Sequence, residues 1–131
     1  MTNEEIVELL DGTKTIAVIG ASNNEEKYGY KIYRQLKKVG FKIYPINPRN
    51  EQIQGDKSYE NLYQLPEKVD VLNFVVPPKV SVNITKTAIK LGYKIFWYQP
   101  GSYDREVLEL HKGQSTRVVS DRCLLIESSK N

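Results

Sequence analysis

Two periods of apolar residues alternate along this chain, and the changes between them mark out its elements. Thr15-Ile16-Ala17-Val18-Ile19-Gly20 is short, apolar and rich in β-branched residues, as a strand buried on both faces should be. Further strands are predicted at 41–46, stopped by Asn47-Pro48, at 69–76, cut off by Pro77-Pro78, at 94–98 and at 117–119. Between them the spacing turns helical. Ile32, Leu36 and Val39 mark one helix, with Gly40 placed as its C-cap. Val80, Ile84, Ala88 and Leu91 mark a second that ends at Gly92, and 104–111 a third capped by Gly113. Ahead of the first strand, Thr2 and Glu5 have capping-box spacing, and Ile6, Val7, Leu9 and Leu10 predict a short lead-in helix ending near Gly12. The stretch 49–68 is patterned least; a short extended piece at Ile53-Gln54-Gly55 and a short helix at 59–65 are expected there.

This succession of strands and helices predicts an α/β fold. The expected form is a Rossmann-like, doubly wound, mainly parallel sheet of five strands with helices on both faces. Right-handed crossovers limit the topology further, and the expected strand order, numbering strands along the chain, is 3-2-1-4-5. Ligands of such sheets sit beyond the carboxyl ends of the strands. Three loops should meet there: 20–29, 47–49 and 76–78. Gln99-Pro100-Gly101 should lie beside them.

The bulk numbers leave that picture intact and narrow the partners. A chain of 131 residues is expected to form a single domain, 1–131. The net charge is +3, with basic and acidic residues interspersed, so neither a nucleic-acid arm nor a polybasic membrane anchor is expected. A mild positive balance suits a small anionic ligand. The N-terminus is acidic and polar, unlike a signal peptide, and no apolar run approaches the ~18 residues of a membrane span. The expected location is the cytoplasm. Cys123 is the one cysteine, which excludes an internal disulfide.

The loops carry the candidate chemistry. Gly20 ends the first strand and opens the turn into a helix, whose N-terminal N–H groups suit a phosphate. Ser22 stands where a dinucleotide fingerprint has its second glycine, and its hydroxyl suits a phosphate oxygen. Gly29 lies nine residues beyond Gly20, so the loop is longer than G-x-G-x-x-G. Both glycines also serve a plain strand-to-helix turn. The second strand ends in Asn47-Pro48-Arg49, without the acid that holds the ribose diol of NAD. Asn47 and Arg49 suit a phosphorylated ribose, which leaves both coenzyme A and NADP open. Val76, Pro77 and Pro78 form a rigid apolar ledge fit to face an adenine ring. Tyr28, beside Gly29, is placed to line the site.

Catalytic groups are scarce. His111 falls late in a predicted helix, away from the crevice, and is read as a solvated or helix-end residue. No metal-ligand spacing, nucleophile elbow or Walker-type phosphate loop occurs. Cys123, next to Arg122, is a candidate redox thiol, with a buried inert thiol as the plainer reading. An enzyme is therefore the less expected outcome.

From about 15 to 127 the chain resembles the small stand-alone CoA-binding proteins, whose fold also forms the N-terminal domain of the succinyl-CoA synthetase alpha subunit. The matching pieces are Ile16-Ala17-Val18-Ile19-Gly20-Ala21-Ser22, Tyr28-Gly29, Pro45-Ile46-Asn47-Pro48, Val69-Asp70-Val71, Val75-Val76-Pro77-Pro78, Trp97-Tyr98-Gln99-Pro100-Gly101 and Asp121-Arg122-Cys123. The resemblance implies that Gly20, Ala21, Ser22 and Lys27 hold the diphosphate. It implies that Asn47, Pro48 and Arg49 meet the ribose phosphate and that Val76, Pro77 and Pro78 pack on adenine. Gln99 and Gly101 would border the pantetheine arm. The synthetases carry their phosphorylated histidine on a further domain, so the resemblance implies binding without that chemistry. The expected function is a non-catalytic module for coenzyme A or an acyl-CoA, with a CoA-using enzyme as the candidate protein partner; the alternative is an NADP-dependent oxidoreductase using the same crevice.

Overall fold

The computed structural model describes residues 2–128. Helix α1 (Asn3–Leu9) opens the described chain. Thr2 and Glu5 close its N-terminus with a complete capping box, and Ile6 and Leu9 enter the core. There follow β1 (Thr15–Ile19), α2 (Tyr28–Val39) and β2 (Lys42–Ile46). A hairpin of β3 (Gln52–Ile53) and β4 (Asp56–Lys57) comes next, then a 3₁₀ turn at Leu62–Gln64. The chain continues through β5 (Val71–Phe74), α3 (Pro78–Lys90), β6 (Ile95–Tyr98), α4 (Arg105–Glu109), β7 (Arg117–Val119) and α5 (Leu124–Ser128).

The main sheet has five parallel strands in the order β2-β1-β5-β6-β7. Counted among the main strands this is 2-1-3-4-5, which corrects the expected 3-2-1-4-5. The reason is local to β2. Pro45, which has no N–H, sits in β2 opposite Val18. A proline is tolerated on an edge strand but not between two partners. β5, by contrast, is buried at all four positions, as a central strand must be.

Period-two alternation divides the core. Ile16 and Val18 of β1, Val71 of β5 and Trp97 of β6 face α1, α2 and α5. Ala17 and Ile19, Leu72 and Phe74, and Phe96 and Tyr98 face α3, α4 and the 3₁₀ turn. The extended piece at Ile53 is a hairpin whose turn residues, Gln54 and Gly55, both have positive φ (51° and 87°). The helix expected at 59–65 shrinks to the 3₁₀ turn, with Asn61 as its cap. α5 has no counterpart in the sequence reading; five residues are too few to display a helical period.

After β1 the chain crosses one face as α2, and after β5 it crosses the other as α3. The point where the winding reverses therefore lies between β1 and β5. The loops after these strands part there and leave a crevice.

Candidate functional site

Two glycines bring α2 onto the end of β1. Gly20 has φ +100°, and a Cβ there would lie 2.3 Å from the carbonyl oxygen of Val75. A Cβ on Gly29 would lie 2.0 Å from the carbonyl oxygen of Gly20. The β1 turn, the end of β5 and the first turn of α2 thus touch backbone to backbone. Lys27 is the N-cap of α2 and makes no side-chain cap bond. The positive end of the dipole of this 12-residue helix lies at its first turn, where Tyr28 and Gly29 line the crevice.

In front of this helix end lies a hollow of about 630 Å³. Gly20, Ser22, Lys27, Tyr28 and Gly29 line one side of it. Asn47, Pro48 and Arg49 line another, and Val76 and Pro77 a third. Lys27 and Arg49 make no ion pair among the described residues. Ser22 Oγ accepts a hydrogen bond from the Asn24 N–H at 2.9 Å, which leaves its hydroxyl proton to donate.

Asn47 ties the site together as well as lining it. Its Nδ2 donates to the Ala21 carbonyl at 2.9 Å, and its Oδ1 accepts the Arg49 N–H at 2.9 Å. It therefore ties the β2 turn to the β1 turn and sets the position of Arg49. Ala21 is fully buried in the core and lines neither hollow; its carbonyl is the anchor for Asn47.

A second hollow, of about 570 Å³, joins the first along Tyr28, Val75, Val76 and Pro77. Pro78, Gln99, Gly101 and Cys123 line its far side. Pro78 starts α3 at N1, where its missing N–H is no loss, so the proline pair shapes the ledge and begins a helix at once. Gln99 is buried with its amide engaged. Oε1 accepts the Leu124 N–H at 2.8 Å, and Nε2 donates to Cys123 Sγ at 3.2 Å. Arg122, the cation next to this candidate thiol in sequence, pairs with Glu127 at 3.1 Å.

Some residues of the crevice were not singled out in sequence. Val80 and Ile84 of α3 line the first hollow, although their spacing reads as a core stripe. The buried face of α3 is Ser81, Val82, Thr85 and Ala88, so the apolar surface of this helix is wider than its core contact. That excess width is the signal that could have found them. Glu26 and Glu60 also line the hollow and oppose an anionic ligand.

His111 lies apart from both hollows. It follows α4, at a helix end as expected, but it is drawn inward rather than solvated. Its Nε2 shares a hydrogen bond with Tyr98 Oη at 2.8 Å, and its Nδ1 one with Thr116 Oγ1 at 2.8 Å. Burial holds its pKa below the usual histidine range.

Comparison with known proteins gives this geometry a context. The family model described as a CoA binding domain matches residues 14–129. The alpha subunit of an ADP-forming acetate–CoA ligase II from Pyrococcus furiosus is 44% identical over 80 residues, covering 60% of this chain and 17% of the relative. A conserved hypothetical protein from Pyrococcus furiosus superposes with a TM-score of 0.83 at 38% identity, over 87% of this chain and 98% of that one. A hypothetical protein from Pyrococcus horikoshii OT3 superposes with a TM-score of 0.92 at 32% identity, over 99% and 92%. The chain spans about a sixth of the length of the first curated ligases it matches (17% of each).

Proposed function

The chain belongs to the CoA-binding domain family, and from that premise we propose that it binds coenzyme A across the two joined hollows as a non-catalytic module. The observation that carries the proposal is the helix end of α2, seated on Gly20 through Gly29, with Lys27 and Arg49 beside it and in no ion pair among the described residues. A diphosphate and a phosphorylated ribose carry several negative charges. The hollow answers them with helix N–H groups, a free hydroxyl proton on Ser22 and two cations. The ledge at Val76 and Pro77 suits a flat apolar ring between the charged groups and the second hollow. The pantetheine arm then runs past Gln99 and Gly101.

The ligase relatives are several times longer than this chain. A module of this kind would deliver coenzyme A to, or sense it for, a separate CoA-using enzyme. Isothermal titration of the whole chain tests the reading. Heat of binding for coenzyme A at tens of micromolar is expected. A thermal shift with NADPH and none with coenzyme A would replace the proposal with the NADP reading, since a ligand at 100 times its Kd stabilises by ~2.7 kcal/mol.

A further inference from the structure

We propose that the site prefers coenzyme A thioesters with an uncharged, apolar acyl group, seated in the second hollow, over coenzyme A itself; this rests on the coenzyme A reading above.

The two hollows divide by charge. Glu26, Lys27, Arg49 and Glu60 line the first, whereas no charged side chain lines the second. The walls of the second are largely hydrocarbon: Val75, Val76, Pro77, Pro78 and Pro100. Its most polar side chain, Gln99, is turned to internal work. The amide oxygen accepts the Leu124 N–H and an Asn73 Nδ2 hydrogen, and the amide nitrogen donates to Cys123 Sγ, so the group is held mainly by the protein. Ser102 adds one hydroxyl to the wall, and along the hydrocarbon stretch an occupant gains from each methylene it removes from water. The two hollows share four wall residues, so one molecule can keep its phosphates at the α2 end while its tail lies in the apolar end. A ligand charged at one end and apolar at the other matches both halves. With the pantetheine arm in this hollow, an acyl group on its sulfur covers hydrocarbon wall that the free thiol leaves in contact with water.

The test titrates the whole chain with coenzyme A, acetyl-CoA, butanoyl-CoA, hexanoyl-CoA and succinyl-CoA at one salt concentration. Affinity should rise from coenzyme A to butanoyl-CoA by at least tenfold. Each methylene that is fully buried adds about fourfold, the ratio that about 0.8 kcal/mol gives. Succinyl-CoA has the chain length of butanoyl-CoA with a terminal carboxylate, and should bind at least tenfold more weakly than it. Equal constants across the series, or tightest binding of the free thiol, would overturn the preference and leave the coenzyme A reading standing. Absence of binding for every compound would remove that reading and the preference together.

A variant locates the acyl group. The Cys123 carbonyl accepts the Glu127 N–H at 3.0 Å, so residue 123 precedes the first turn of α5, where aspartate is favoured. Cys123→Asp therefore puts a carboxylate in the wall of the hollow at a position that accepts one. The ratio of butanoyl-CoA to coenzyme A affinity should fall to one or below. An unchanged ratio would place the acyl group elsewhere and overturn the assignment.

Discussion

The carbonyl oxygen of Gly20 occupies the space that a first side-chain carbon on residue 29 would need, 2.0 Å from where that carbon would stand. The obstacle is backbone, not the end of a flexible side chain. Any larger residue at 29 must push α2 away from β1, and with it the helix end that faces the first hollow.

Gly29→Ala is therefore expected to act on fold and site together. Overpacking of this kind costs about 1–3 kcal/mol. Urea unfolding should show that loss. Coenzyme A affinity, measured under conditions where the variant is still folded, should fall by more than tenfold. A variant with native stability and native affinity would mean that α2 does not depend on this contact.

Lys27 and Arg49 are exposed and unpaired among the described residues, so their removal should leave stability within about 0.5 kcal/mol of the parent. Their effect should appear in binding alone. A charged hydrogen bond to phosphate is worth ~1.5 kcal/mol, so Lys27→Ala and Arg49→Ala should each weaken coenzyme A about tenfold. The loss should shrink as salt is raised. Glu60→Gln removes an opposing charge from the same hollow and should tighten binding. Titration of the three variants at two salt concentrations checks both directions.

Gln99→Leu keeps the volume of a buried side chain but removes the acceptor for the Leu124 N–H. A buried donor left unsatisfied costs ~1–3 kcal/mol. The loss should concentrate in α5. Hydrogen exchange should show faster opening of that helix than of β1 or β5, and a uniform change across the chain would contradict the assignment.

His111 gives the stability a pH dependence. Burial lowers its pKa in the folded chain below the ordinary histidine value of 6.5. The unfolded chain therefore binds a proton more readily than the folded one. The contribution of neutral His111 is complete above about pH 6.5 and is lost as pH falls from there toward the folded pKa, with a limiting slope of about 1.4 kcal/mol per pH unit. Stability curves of the parent and His111→Gln between pH 7.5 and 5 should converge as the pH falls. Parallel curves would show that His111 does not titrate between the two states.

Much of the crevice was legible because its chemistry depends on residues near one another in sequence. Gly20 and Gly29 bracket one loop, Asn47 and Arg49 belong to one turn, and Pro77 and Pro78 end one strand. What was less legible depends on contacts between distant segments. That Asn47 also ties two turns together shows only once its amide is found on the Ala21 carbonyl. Gln99 lines the second hollow as expected, but that its amide holds the Leu124 N–H and faces Cys123 was not legible. Val80 and Ile84 read as core because period alone does not tell a cleft from an interior. The strand order was misjudged although Pro45 held the clue, since a residue without an N–H belongs at a sheet edge.

Local rules settled which segments became strands and helices, and therefore that the sheet is parallel and wound on both faces. Apolar period, capping residues and chain-breaking prolines act over a few residues and can be read directly. Which strand lies beside β1, which polar groups are left free for a ligand, and how two hollows join into one path were decided by packing. Those outcomes depend on which hydrogen-bonding groups find partners far along the chain, and only the folded arrangement brings such partners together.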